Sequence, residues 1–125
     1  MELTLTLLSQ EYAITRLAPD AQVPSWVGTD GLTSITRADD ELSIVCHANH
    51  VPTGIPTETG WAALRVDLLA QLDEPGVVMS AITPISTAGL GVFVISTHLR
   101  DYILVRRNEM DQARLALTQA GHKIR

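Results

Sequence analysis

The stretch "GVFVISTHLRDYILVRR", Gly91 to Arg107, decides how this chain folds. Phe93 to Ile95 and Tyr102 to Val105 are β-branched and aromatic runs, and the polar segment between them reads as the elbow of a hairpin. One acid, Asp101, stands where the second strand resumes. Upstream, "EPGVVMSAITPISTAGL" (Glu74 to Leu90) has helical periodicity: Val78, Ile82 and Ile85, with Ala81 and Ala88, share one apolar face. Pro75 suits the first helical position, where a missing N–H costs nothing, and Gly89 suits the exit. Pro84 removes the N–H that would bond the Ser80 carbonyl, which predicts a kink. Downstream, "NEMDQARLALTQAGHK" (Asn108 to Lys123) is a second helix with Asn108 as N-cap, Met110, Ala113, Leu117 and Ala120 on one face, and Gly121 at its end. A strand in "WAALRVD" (Trp61 to Asp67) and a short one at Lys123 to Arg125 complete a β-α-β-β-α-β order. That order predicts an α+β module, an antiparallel sheet with two helices on one face.

The first half echoes the second. Leu3 to Leu8 and Tyr12 to Leu17 are β-prone, with Ser9-Gln10-Glu11 as a reversal between them. Ala18 to Thr29 reads as a loop with one helical turn around Ser25-Trp26-Val27. "DGLTSITRADDELSIVCH" (Asp30 to His47) is a second hairpin, and Asn49 to Gly60 is a turn-rich connector. "ITRADDELSIV" (Ile35 to Val45) aligns without gaps on "ISTHLRDYILV" (Ile95 to Val105), an offset of sixty that also places Pro24 on Pro84 and Glu41 on Asp101. The simplest account is a duplicated module, residues 1–60 and 61–125, whose first copy has lost most of its first helix.

Bulk composition narrows the function classes. The 125 residues are 46% apolar and 18% charged, enough to bury a core. A net charge of −5 with no Lys/Arg cluster argues against nucleic acid, whose phosphates need a basic face. No apolar run approaches a membrane span, and "MELTLTLLSQ" lacks the basic start of a signal peptide. The single cysteine, Cys46, excludes an internal disulfide and fits a reducing cytoplasm.

The ordered set "PG…SAITPISTAGLGVFVISTHLRDYILV" resembles the C-terminal half of small bacterial ACT-domain proteins, and the repeats of the related CASTOR-type arginine sensors. "SWVG…LTSITRADDELSIVC" is similar to the N-terminal half of the same family. The resemblance spans nearly the whole chain and is most specific at "IST-x-x-x-DYILV". It implies tandem ferredoxin-like ACT modules, the first with reduced helices. It also implies a non-enzymatic regulatory or sensor role, in which a small ligand, usually an amino acid, is bound at a module interface of a homodimer. Output would pass through an unidentified protein partner, or the protein would simply buffer or transport its ligand. No cofactor or metal is implied.

Two segments are the candidate site. In the "DEPG" turn, the N–H groups of Gly76, Val77 and the residue after them offer, with the helix dipole, a place for an α-carboxylate. For stability alone, the turn and Pro75 suffice as a strand-to-helix connection. The resemblance places Glu74, Pro75 and Gly76 along the ligand pocket and makes Glu74 a contacting acid. Asp101 reads either as a turn residue screened by Arg100 or paired with Arg106, or as the carboxylate that takes an ammonium or guanidinium. By resemblance Thr97 and His98 are its pocket neighbours, and Ser80 reaches a partner module's ligand; by itself Ser80 is a helix serine bonding its own backbone. His98 replaces the aromatic common at its position.

Other clusters weaken on inspection. His47 and His50 are three apart, but no cysteine or carboxylate pair completes a metal set at characteristic spacing. Trp26 and Trp61 read as packing anchors between modules. "STHLRD" holds Ser, His and Asp too close in sequence to form a triad. Phosphate-transfer chemistry is disfavoured by the acidic "DEPG" turn, and RNA binding by the scarcity of aromatics. The alternative to a sensor is an interaction or oligomerisation module without a working pocket.

Overall fold

The computed structural model describes every residue, Met1–Arg125, and divides the chain into two compact units: Gln10–Trp61, and Met1–Ser9 together with Ala62–Arg125. The second contains β1 (Thr4–Leu7), the second half of β5 (Thr57–Val66), α1 (Val77–Thr87), β6 (Phe93–Ser96), β7 (Asp101–Arg106), α2 (Met110–Gln119) and β8 (Lys123–Ile124). From β5 onward this is the β-α-β-β-α-β order expected from the sequence. β1 is an addition: it lies antiparallel to β5, with Leu5 opposite Val66, and parallel to β8, with Leu5 opposite Ile124. The opening residues thus belong with the C-terminal module, because alternate residues Leu3 and Leu5 bury their side chains in its core.

That core is one cluster. The sheet contributes Leu3, Leu5, Ala62, Leu64, Val66, Ile103 and Val105, and the helices contribute Val77, Ala81, Ile85, Met110, Ala113 and Leu117. Each fully buried Leu, Ile or Val adds about 1.5–3 kcal/mol by leaving water. The buried stripe of α1 runs through Val77, Ala81 and Ile85, while Ile82 packs at its border. Both helices stop by the same device. After α1, Gly89 (φ 85°) donates to Ser86 O and Leu90 N to Ile85 O; after α2, Gly121 (φ 97°) donates to Thr118 O and His122 N to Leu117 O. These are Schellman closures, which need the left-handed residue glycine supplies.

Two boundaries differ from the sequence expectation. Pro75 precedes the helix, and Gly76 (φ 89°) is the N-cap of α1. At α2, Asn108 lies inside a 3₁₀ turn, Arg107–Glu109, and the helix starts at Met110.

Pro84 sits inside α1 and cannot donate to Ser80 O; in its place His122 Nε2 bonds that carbonyl at 2.9 Å. A carbonyl only accepts, so Nε2 holds the proton, and Nδ1 is free to accept from Leu3 N–H, also at 2.9 Å. The neutral imidazole of His122, 5% exposed, therefore satisfies two backbone groups at once.

The unit Gln10–Trp61 holds β2 (Tyr12–Leu17), a 3₁₀ turn at Ser25–Val27, β3 (Ser34–Arg37), β4 (Leu42–His47), a second 3₁₀ turn at Ala48–His50, and the first half of β5. Its strand order is β3-β4-β2-β5, with antiparallel ladders. This is the sheet of a ferredoxin-like module whose two crossover helices have shrunk to 3₁₀ turns. One buried cluster holds Val27, Leu42, Ile44 and Cys46, with Trp26 packed against them, and Tyr12, Ala13 and Val45 are buried as well. Burial pushes the pKa of the Cys46 thiol up, as for an inert structural cysteine. Ser9–Glu11 is not a hairpin turn, since β1 and β2 each pair with β5 and not with each other.

The repeat is present, but its register is one residue from the offset of sixty. Ser34–Arg37 falls on Phe93–Ser96 and Leu42–His47 on Asp101–Arg106, an offset of fifty-nine (93 − 34 and 101 − 42). The hairpin pairings agree: Ser34 faces Val45 as Phe93 faces Leu104. At this offset Ile44 overlays Ile103 and Cys46 overlays Val105, core upon core. An offset of sixty would turn every side chain to the other face of the strand. Leu42, not Glu41, is the counterpart of Asp101.

Candidate functional site

The C-terminal module contains a cleft of about 200 Å3 between the segment Leu68–Met79 and the β6–β7 elbow. Glu74, Gly76 and Val77 line it from the first side, and Thr97, His98 and Asp101 from the second. The structure thus brings together six of the residues singled out above. Pro75 and Ser80 are not on its wall; Ser80 instead offers its carbonyl to His122.

Each wall is shaped locally. The first helical hydrogen bond of α1 is Ser80 N to Gly76 O, and no side chain caps the helix. The N–H groups of Val77, Val78 and Met79 therefore have no intrahelical partner, and all three residues line the cleft. Gly76 takes φ 89° there, and a Cβ at this position would meet open space. Opposite, the elbow is closed on itself. Thr97 N and Thr97 Oγ1 both donate to Arg100 O, at 3.0 and 2.8 Å, and Arg100 N donates to Thr97 Oγ1 at 3.3 Å. Ser96 Oγ donates to Asp101 Oδ1 at 2.6 Å, which orients the carboxylate and leaves Oδ2 open. Arg100 turns to Asp67 (3.8 Å), so it does not screen Asp101.

Asp67 was not legible as a site-shaping residue. It follows β5, and its side chain is only 8% exposed. Thr6 Oγ1 donates to it at 2.5 Å, Arg65 Nε at 2.7 Å and Arg125 Nη2 at 2.8 Å. Burial alone would push its pKa up; the bonds from Thr6, Arg125 and Arg65 outweigh it and hold the carboxyl down at about 2. The alternation Arg65-x-Asp67 hinted at a same-face pair, but Thr6, Arg100 and Arg125 reach it only in the folded chain. Asp67 anchors Arg100, a cleft residue, and its own charge is already neutralised. The sequence also missed the apolar part of the wall: Leu68, and Leu72, Met79 and Leu99, which are 74%, 60% and 60% exposed.

Chemically the cleft offers both signs. The uncapped helix start and Arg100 favour an anion, while Asp101 and Glu74 favour a cation.

The C-terminal module is thus a ferredoxin-like sheet whose helix-start and elbow residues line one cleft, and sequence comparison gives its family. The chain belongs to the ACT-domain family: an ACT-domain model matches residues 57–119. A second family model, described as an N-terminal domain, matches residues 10–54. Among solved structures, a protein from Agobacterium tumefaciens is 38% identical, with a TM-score of 0.94 over 100% of this chain and 93% of that one. A Vibrio cholerae protein of unknown function shares 18% identity and a TM-score of 0.77 over 90% of this chain and 85% of its own. The regulatory subunit of aspartate kinase from Thermus thermophilus, in a ligand-free form, shares 11% identity and a TM-score of 0.64 over 91% of this chain and 94% of its own. The last two establish likeness of fold. No curated protein matches this sequence. No helix is long and apolar enough to cross a membrane.

Proposed function

We propose that this protein is a non-enzymatic sensor or regulator that binds a free α-amino acid, or a similar small zwitterion, in the cleft between the start of α1 and Asp101. The observation that supports it most is the uncapped N-terminus of α1 sharing that cleft with the half-satisfied Asp101 carboxylate. The ligand carboxylate would accept from the N–H groups after Gly76, and its ammonium would donate to Asp101. Glu74 would serve a cationic side chain, in keeping with the CASTOR-type resemblance. A volume of about 200 Å3 is below the range of sites for drug-sized molecules and suits a ligand this small. Coupling to a partner protein, and a homodimer whose second copy completes the site, belong to the same reading.

A thermal-shift screen of the twenty amino acids tests it, because a ligand held by the native state alone raises Tm. At least one should do so, and Asp101→Ala should remove the shift while leaving the ligand-free melting curve within a degree or two. No shift with any amino acid, or one that survives Asp101→Ala, rejects the reading. A second reading, an oligomerisation module, is favoured by exposed Leu72, Met79 and Leu99. It requires a mass in solution above the monomer that falls when Leu72 and Leu99 are changed to Ser.

A further inference from the structure

We propose that Asp30, His47 and His50 form a binding site for a divalent transition metal of zinc's class, in the unit Gln10–Trp61. The proposal is independent of the amino-acid cleft, which lies in the other unit.

The sequence offered two histidines and no third ligand; the fold supplies one. Asp30 sits in the loop Val27-Gly28-Thr29-Asp30-Gly31, and its two carboxylate oxygens each face one imidazole. Oδ2 lies 3.6 Å from His47 Nδ1, and Oδ1 lies 3.4 Å from His50 Nε2. One donor atom from each of the three residues falls within 4.8 Å of the others. Both acid–imidazole separations exceed ordinary hydrogen-bond lengths. Each is close to the roughly 3.3 Å between neighbouring ligands of a tetrahedral zinc with bonds of 2.0–2.1 Å, and the three-donor set, within 4.8 Å, would draw in around the ion.

Tautomers strengthen the case. His50 Nδ1 lies 3.0 Å from the Val27 carbonyl, which only accepts, so Nδ1 holds the proton. In a neutral His50 this leaves the Nε2 lone pair facing a carboxylate oxygen, acceptor against acceptor. A cation between them resolves the repulsion, and the carbonyl bond on the far nitrogen is the usual way a metal-bound imidazole is oriented. His47, 7% exposed, makes no hydrogen bond, and its Nε2 is buried without a partner. Nδ1, which faces Asp30 Oδ2, is the nitrogen that a metal would take, with the proton then carried on Nε2.

The loop is shaped to the two rings. Gly28 (φ 80°) and Gly31 (φ 69°) both adopt the left-handed region. A Cβ on Gly28 would come within 2.7 Å of the His50 ring, and one on Gly31 would overlap His47 Nε2. The imidazoles therefore pack on bare backbone that any larger residue would fill. The role is physical: both crossover helices of this unit are reduced to 3₁₀ turns around seven buried apolar side chains, and small domains are commonly stapled by a metal. Three protein ligands leave a fourth position for water or another donor, as in open zinc sites.

Tag-free protein stripped with chelator and titrated with Co2+, then Zn2+, tests the proposal. One equivalent of Co2+ should bind with a visible d–d spectrum, Zn2+ should displace it and raise Tm, and Mg2+, which prefers oxygen ligands, should do neither. Asp30→Asn, at a side chain 68% exposed and so compatible with folding, should weaken Co2+ binding roughly ten-fold or more, and His50→Ala should do likewise. Absence of a Co2+ spectrum overturns the site, as does binding unchanged in Asp30→Asn or equal affinity for Mg2+.

Discussion

Replacing His122 with alanine removes one side chain and strands two backbone groups in different elements. Leu3 N–H lies in the buried interior and loses its acceptor; Ser80 C=O, partly buried, loses the donor that stands in for the N–H Pro84 lacks. A buried unsatisfied polar group costs about 1–3 kcal/mol. With about 2 kcal/mol for Leu3 and about 1 kcal/mol for the less buried Ser80, His122→Ala should destabilise by about 3 kcal/mol. Pro84→Ala restores an amide at the position that normally bonds Ser80 O. In that background the same His122→Ala change should cost about 2 kcal/mol, a coupling of about 1 kcal/mol between residues far apart in sequence. Urea unfolding of the four proteins at neutral pH, followed by circular dichroism, measures the cycle. A loss below about 1 kcal/mol for His122→Ala, or an additive cycle, would show that the imidazole does not replace the missing helical donor.

Asp67→Asn keeps the shape of the side chain and removes its charge. Because the folded carboxyl is held at about 2 against an ordinary 3.8, its stabilisation is fully present above about pH 4 and fades as pH falls through about 2. The variant should be less stable by about 2 kcal/mol at neutral pH, and the gap should close in acid; a gap independent of pH assigns the loss to packing. Leu117→Ala, at a fully buried position between helix and sheet, should cost about 2–5 kcal/mol in the same urea assay without changing amino-acid binding to a folded sample.

The elements of the C-terminal module were legible because their signals are local. Helical periodicity through Ala81 and Ile85, glycines at 89 and 121, and the Ser-Thr elbow each act within a few residues, and the β-α-β-β-α-β order follows from them, although α1 buries Val77 where the periodicity named Val78. Six cleft residues were also named beforehand: Gly76, Val77 and Asp101 as local features of helix start and elbow, and Glu74, Thr97 and His98 through the family resemblance. The repeat was visible, yet its offset was misjudged by one. Identity matching rewarded the overlay of Ile35 on Ile95, whereas side-chain direction in the strands is set by which residues face the core. The start of α1 slipped by two residues and that of α2 by one, because a left-handed Gly76 and a 3₁₀ turn at Arg107–Glu109 took the places that propensity gave to Pro75 and Asn108.

By itself, then, the sequence determined the class of module, its element order and the polar part of the cleft, largely through interactions between near neighbours in the chain. Only the tertiary structure decided the rest. It placed β1 between β5 and β8, gathered Thr6, Arg100 and Arg125 around Asp67, set His122 against the Ser80 carbonyl, and brought Asp30 to His47 and His50. The physical reason is common to all four: the partners are separated by long stretches of chain. Their meeting depends on strand pairing and core burial, which no local pattern of residues records.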